Sequence, residues 1–123
     1  GTFFMLRKEI LSNFGGGLLP SDYFMYMEDV LWCYRIRQLG YKIYYYPGGH
    51  VSHLIAASSN EVGNDPFERY ARAILPNEYD FIRKNKGYLY TKVYYLIKAL
   101  NHLSLRTKDD LRKSRTFFSL VLK

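Results

Sequence analysis

Apolar positions follow two different rhythms along this chain, and the change of rhythm divides it near residue 60. Before it, apolar runs are short and nearly continuous. Thr2 to Lys8 reads Thr-Phe-Phe-Met-Leu-Arg-Lys, a run fit for a buried strand, and a helical turn over 8–14 follows. Tyr41 to Tyr46 predicts a second strand, closed by Pro47, and His50 to Leu54 a short third. Between them lies a stretch with helical spacing. On a helix beginning near Glu28, positions 29, 32, 33, 36 and 39 share one stripe, because side chains three and four apart stack on one face. Trp32, Cys33, Ile36 and Leu39 are therefore expected to be buried together. Asp29 heads the stripe from the first turn, where unpaired backbone N–H groups and the helix dipole favour a carboxylate. Gly40 stands where the helix needs a left-handed residue to end on.

Beyond the small, polar stretch Ala56 to Gly63, the spacing is helical throughout. Asn64-Asp65-Pro66 supplies a capping side chain and a proline for the first turn. Phe67, Tyr70, Ala71 and Ile74 give that helix its stripe, and Pro76 interrupts it. A second helix is expected from Asn77 to Asn85, stopped by Gly87. From Tyr88 to Leu103 the set Leu89, Val93, Leu96, Ile97, Leu100 and Leu103 recurs at helical spacing over four turns. Thr107-Lys108-Asp109-Asp110 resembles a capping box, and Leu111, Ser114, Phe118, Val121 and Leu122 carry a last helix to Lys123. The pattern as a whole predicts an α/β class: strands and helices mixed over 1–60, where the chemistry is expected, and a helical extension over 61–123.

Composition adds three constraints. The chain has 123 residues, 48% hydrophobic and 24% charged, enough for a modest core, with 13 Tyr and 8 Phe. Its net charge of +7 suits nucleic acid, an anionic membrane or phosphate-bearing substrates. Many of the Lys and Arg lie beyond residue 69, interleaved with apolar residues in no nucleic-acid motif, so nucleic acid ranks last and is not expected as a partner. The lone Cys33 excludes an internal disulfide framework and suits a reducing compartment, the cytoplasm. No signal peptide and no run of about 18 apolar residues occurs. The chain opens on an apolar run with no initiating Met, as a portion of a longer protein would.

Phe24-Met25-Tyr26-Met27-Glu28-Asp29, Arg35, Gly40-Tyr41, Tyr46-Pro47 and His53 occur in that order. This set resembles the second half of the family-2 glycosyltransferases of the GT-A fold, inverting enzymes that move a sugar from a nucleotide donor. The resemblance implies the C-terminal, acceptor-side part of such a fold: a short mixed sheet followed by a helical tail. The N-terminal nucleotide-binding half would lie elsewhere, since this chain has neither an Asp-x-Asp nor a phosphate-cradling glycine loop. Two departures stand out. The family's Gly-Gly-Phe-Asp is here Gly17-Leu18-Leu19-Pro20 with the acid at Asp22, and its Arg-Asn is here Pro76-Asn77.

By that resemblance Asp29 is the general base toward an acceptor hydroxyl, and Glu28 orients the acceptor or its loop. Asp22 and Ser58 would border the acceptor, and His53 would help bind the metal or the donor diphosphate. Trp32 is a candidate for stacking on a sugar. Each has a plainer alternative: helix capping for Asp29, loop capping for Ser58, a core imidazole for His53 and a core indole for Trp32. His50 and His53, three apart in a strand, would point to opposite faces. A divalent metal, Mg or Mn, is implied for the whole enzyme, with none held by this portion. The implied partners are a nucleotide-sugar donor and a glycan or lipid-linked acceptor, in bacterial surface polysaccharide synthesis, at the cytoplasm or peripherally on the inner face of the cell membrane. A competing reading is a non-enzymatic domain that self-associates or docks on a membrane through its aromatic surface and amphipathic helices. Within it, the stripe from Leu89 to Leu103 is expected to pack or self-associate, because lysine is sparse there.

Overall fold

The computed structural model describes residues 3–23, 25–52, 65–105 and 107–123. Along them run α1 (Lys8–Leu11), α2 (Glu28–Gln38), α3 (Pro66–Arg69), α4 (Leu75–Lys86), α5 (Tyr88–Leu105) and α6 (Lys108–Val121). A 3₁₀ turn at Gly15–Gly17 and a π turn at Tyr70–Ile74 complete the set. No strand or sheet occurs among the described residues. The expected α/β class, a GT-A portion with a short mixed sheet, is therefore overturned: the described chain is helical. The reason lies in what strand propensity measures, which is how well a side chain fits a pleated, half-buried surface. Tyr44, Tyr45 and Tyr46 are 79%, 90% and 74% exposed, and Phe3 and Met5 are 64% and 74% exposed. Those segments have the side chains of strands but no neighbouring strand to bond with, so they run as irregular chain. Residues 50–52 do the same, and the rest of that expected strand lies outside the described residues.

Two compact units divide the chain, Gly1–Val62 and Gly63–Lys123. In the first, Ile10, Tyr23, Leu31 and Ile36 are buried. The inward face of α2 thus includes Leu31, off the expected stripe. Trp32 and Cys33 are half-buried and Leu39, beyond the last helical turn, is 42% exposed. Gly40, at φ 87°, ends α2 as its place in the sequence predicts. Its N–H donates to Arg37 O at 3.0 Å, and that of Tyr41 donates to Ile36 O at 3.3 Å, the paired bonds of a Schellman ending.

In the second unit Asp65 accepts the Phe67 N–H at 2.9 Å, with Pro66 in the first turn of α3. Pro76 brings no N–H to the helical ladder, and the turn before α4 widens to π rather than breaking. Gly87, at φ 88°, separates α4 from α5. α5 and α6 lie antiparallel: His102 meets Asp110, Ala99 meets Ser114, and Lys92 meets Val121. Leu75, Tyr95, Ala99, Phe117 and Leu120 form the core, with Phe67, Tyr70, Tyr79 and Tyr94 packed around it.

The face that α5 buries is not its aliphatic stripe. Thr91, Tyr95 and Ala99 face inward, whereas Leu89, Val93, Leu96, Ile97, Leu100 and Leu103 are all exposed. Helix α6 likewise buries Ser114, Phe117 and Leu120, while Leu111 and Leu122 are exposed. Small side chains account for this choice. Ala99 and Ser114 let the two backbones approach until the Ser114 hydroxyl donates to Ala99 O at 2.9 Å, and a leucine at either place would hold them apart.

Candidate functional site

The chain approaches α2 through two consecutive left-handed residues that are not glycine, Tyr26 at φ 63° and Met27 at φ 73°. Side chains rarely adopt this conformation, and such strain collects at functional sites. Met27 is the N-cap residue and offers no side-chain cap. Its carbonyl accepts the Leu31 N–H at 2.9 Å. Glu28 and Asp29 then occupy the first helical turn. Asp29 is not the cap but its second neighbour, and accepts the Val30 N–H at 2.9 Å. That bond and the helix dipole favour the ionised carboxylate. Glu28 differs from its neighbour: one carboxylate oxygen, Oε2, is buried and accepts no hydrogen bond among the described residues.

Behind the pair, Trp32 is half-buried. Its indole N–H donates to Pro20 O at 2.8 Å, and its ring lies 5.9 Å from that of Phe4. Both contacts fasten α2 to the chain before it, which leads to the exposed Asp22. Cys33 sits one turn after Asp29. Burial pushes its thiol above the ordinary value, and the negative charge of Asp29 pushes it further, so the thiolate needed for nucleophilic chemistry is disfavoured. The structure therefore brings Glu28, Asp29 and Trp32 onto one helix with Asp22 on the loop tied to it. His53 and Ser58 lie outside the described residues.

His53, the ligand that the resemblance implies for a divalent metal, lies outside the described residues. Among the described residues no group of three or more His, Cys, Asp or Glu side chains gathers to hold an ion. Glu28 and Asp29, adjacent in sequence, supply oxygens without a third such side chain among the described residues.

A second cluster of ionisable groups escaped the sequence reading. Glu78 on α4 accepts hydrogen bonds from Tyr70 at 2.5 Å, Tyr94 at 3.0 Å and Lys98 at 2.8 Å. The Lys98 ammonium also donates to the Tyr70 hydroxyl at 3.0 Å, and lies 5.0 to 5.7 Å from the ring centres of Tyr70, Tyr94, Tyr95 and Phe117. Burial alone would raise the Glu78 pKa, but the hydrogen bonds from Lys98 and Tyr70 outweigh it and hold the carboxyl below the usual range. Burial, with the nearby Glu78 charge, pushes the Tyr94 phenol up to about 12 and raises Tyr70 and Tyr95 as well. The cue in the sequence was modest: Glu78 precedes Tyr79, and Lys98 stands four residues after Tyr94. With cation and anion paired in a ring of aromatic side chains, this cluster is equipped to orient α4 against α5 rather than to turn over a substrate.

Comparison of the chain with protein-family models, with curated proteins and with solved structures returned no match.

Proposed function

We propose that the first unit is the acceptor-side portion of an inverting sugar transferase, acting with donor-binding residues outside this chain. The reading rests on the ordered motif from Phe24 to His53, and it no longer draws on the sheet of a GT-A fold. One structural observation supports it above the others. The Glu28–Asp29 pair opens α2 directly after a strained left-handed turn, and the helix behind it is anchored by Leu31, Ile36 and the Trp32–Pro20 bond. A carboxylate held in this manner is preorganised for proton transfer.

In this mechanism the ionised Asp29 takes the proton of an acceptor hydroxyl. The oxygen so freed attacks the anomeric carbon as the bond from that carbon to the nucleoside diphosphate breaks, inverting the centre and releasing the diphosphate. Glu28, beside Asp29 in the first turn of α2, orients the acceptor or its loop. Trp32 holds the loop bearing Asp22 against the helix.

The test is Asp29→Asn in the full-length protein. Transfer is expected to fall about 10²- to 10⁴-fold with the circular dichroism of the protein unchanged. Unchanged transfer would refute the assignment. The chain by itself is expected not to bind UDP or dTDP tightly in calorimetry, because the donor half lies outside it.

A further inference from the structure

We infer that the outward face of α5 is a docking surface for a bilayer containing anionic lipid, and this inference holds whether or not Asp29 performs sugar chemistry. Leu89, Val93, Ile97 and Leu100 are 75%, 47%, 62% and 49% exposed along one side of the helix. A helix that is apolar on both its inward and outward faces is expected to be covered on both. The patch does not stop at α5. Leu100 and Leu103 line an open groove with Leu111 of α6, which makes one continuous apolar strip across the hairpin.

What covers the strip is indicated by charge. Residues 1–64 carry five Lys and Arg against five Asp and Glu, whereas residues 65–123 carry 13 against six. All of the net +7 thus falls on the unit that exposes the strip. The six acids there are each engaged: Asp65 by Arg112, Glu68 by Arg72, Glu78 by Lys98, Asp80 by Lys84, Asp109 by Lys113 and Asp110 by His102. The cations bordering the strip are a different set. Lys108 and Arg115 stand three before and four after Leu111, on the same face of α6. Both are exposed, and neither pairs with a carboxylate among the described residues. Lys92 borders the other helix between Leu89 and Leu96, with its ammonium bonded to the Val121 carbonyl rather than to a carboxylate. The occupant must therefore be apolar within and negative at its rim. A second copy of the chain is apolar but brings another +7 to the contact. An anionic lipid surface meets both requirements. No helix among the described residues is long and apolar enough to cross a membrane, so α5 would lie along the interface.

The experiment is flotation of the whole chain with vesicles of phosphatidylcholine alone and of phosphatidylcholine with phosphatidylglycerol. The chain is expected to float with the anionic vesicles, weakly with the neutral ones, and less as salt rises. Ile97→Gln/Leu100→Gln, both at exposed positions, should abolish flotation with helicity unchanged. Lys108→Gln/Arg115→Gln should weaken partitioning about 25-fold, near fivefold for each charge removed. Failure to float with anionic vesicles, equal flotation of the Gln variants, or equal flotation with neutral vesicles at all salt concentrations would overturn the inference. So would a lipid-independent dimer in sedimentation that Ile97→Gln/Leu100→Gln dissolves, which would make a second copy the occupant.

Discussion

Replacing Lys98 with methionine keeps an unbranched stem in the core of the second unit and removes the only cation bonded to Glu78 among the described contacts. The two side chains are 29% and 13% exposed, and their charged atoms lie 2.8 Å apart. At an effective dielectric constant near 20 their attraction is about 6 kcal/mol. Much of that offsets the cost of drawing both ions out of water, so the pair as a whole contributes little net stability. Breaking it is another matter. The variant leaves a mostly buried carboxylate with two tyrosine hydroxyls and no cation, and the expected loss at pH 7 is about 3 kcal/mol, the lower end for a buried pair because Lys98 is partly solvated.

The pH dependence separates this cause from lost packing. In the native protein Glu78 has a lowered pKa, so its contribution is present above the ordinary glutamate value of 4.5 and is lost as pH falls through the lower folded value. Without Lys98 the sign reverses: burial then dominates, the folded pKa rises, and the variant regains stability as Glu78 takes up a proton. Urea denaturation followed by far-ultraviolet circular dichroism should therefore give a difference of about 3 kcal/mol at pH 7 that shrinks to about 1 kcal/mol by pH 4, the residue being imperfect packing of the methionine. Glu78→Gln/Lys98→Met should recover most of the loss at pH 7. A difference that stays constant from pH 7 to pH 4, or a double variant no better than Lys98→Met, would refute the electrostatic account.

Other consequences are open to direct measurement. Ultraviolet titration near 295 nm should find tyrosines that resist ionisation well above the ordinary value of 10.0, and Glu78→Gln should bring Tyr94 down from about 12, because the carboxylate charge helps hold it there. Native stability should accordingly decline as pH rises above 10.0, where the unfolded chain releases phenolic protons that the folded chain retains. Gly87→Ala places a side chain at φ 88° and ψ 168°, a region nearly confined to glycine, and should cost about 1 to 3 kcal/mol in urea denaturation. Thr107→Ala removes the acceptor for the Asp110 N–H at 3.1 Å, with an expected loss of about 1 kcal/mol. Ser114→Leu should cost about 1 to 3 kcal/mol by wedging α6 from α5, and an unaltered melting curve would contradict the close packing of those helices.

The contrast between the two halves of the chain explains which features could be read from the sequence. Helix ends were legible because their signals act locally: Asp65-Pro66, Gly87, Thr107 and the Gly40-Tyr41 ending each satisfy backbone groups within a few residues. The start of α2 at Glu28 was legible for the same reason, although the left-handed Tyr26 and Met27 that aim it were not, since nothing in those side chains requires such a backbone. Strands could not be read that way. The Tyr41 to Tyr46 run has high strand propensity, but a strand exists only through a partner, and the described residues provide none. Helix α5 was ambiguous for a third reason. Its spacing offers two apolar faces, and period alone does not say which one turns inward. Ala99 decides, because a small side chain opposite Ser114 permits a closer approach than the leucine stripe could, while Tyr95 beside it fills the core with its ring and Tyr94 donates its hydroxyl to Glu78. The aliphatic face is then left for something outside the hairpin, so the same packing that buries Tyr95 also creates the surface from which lipid docking is inferred.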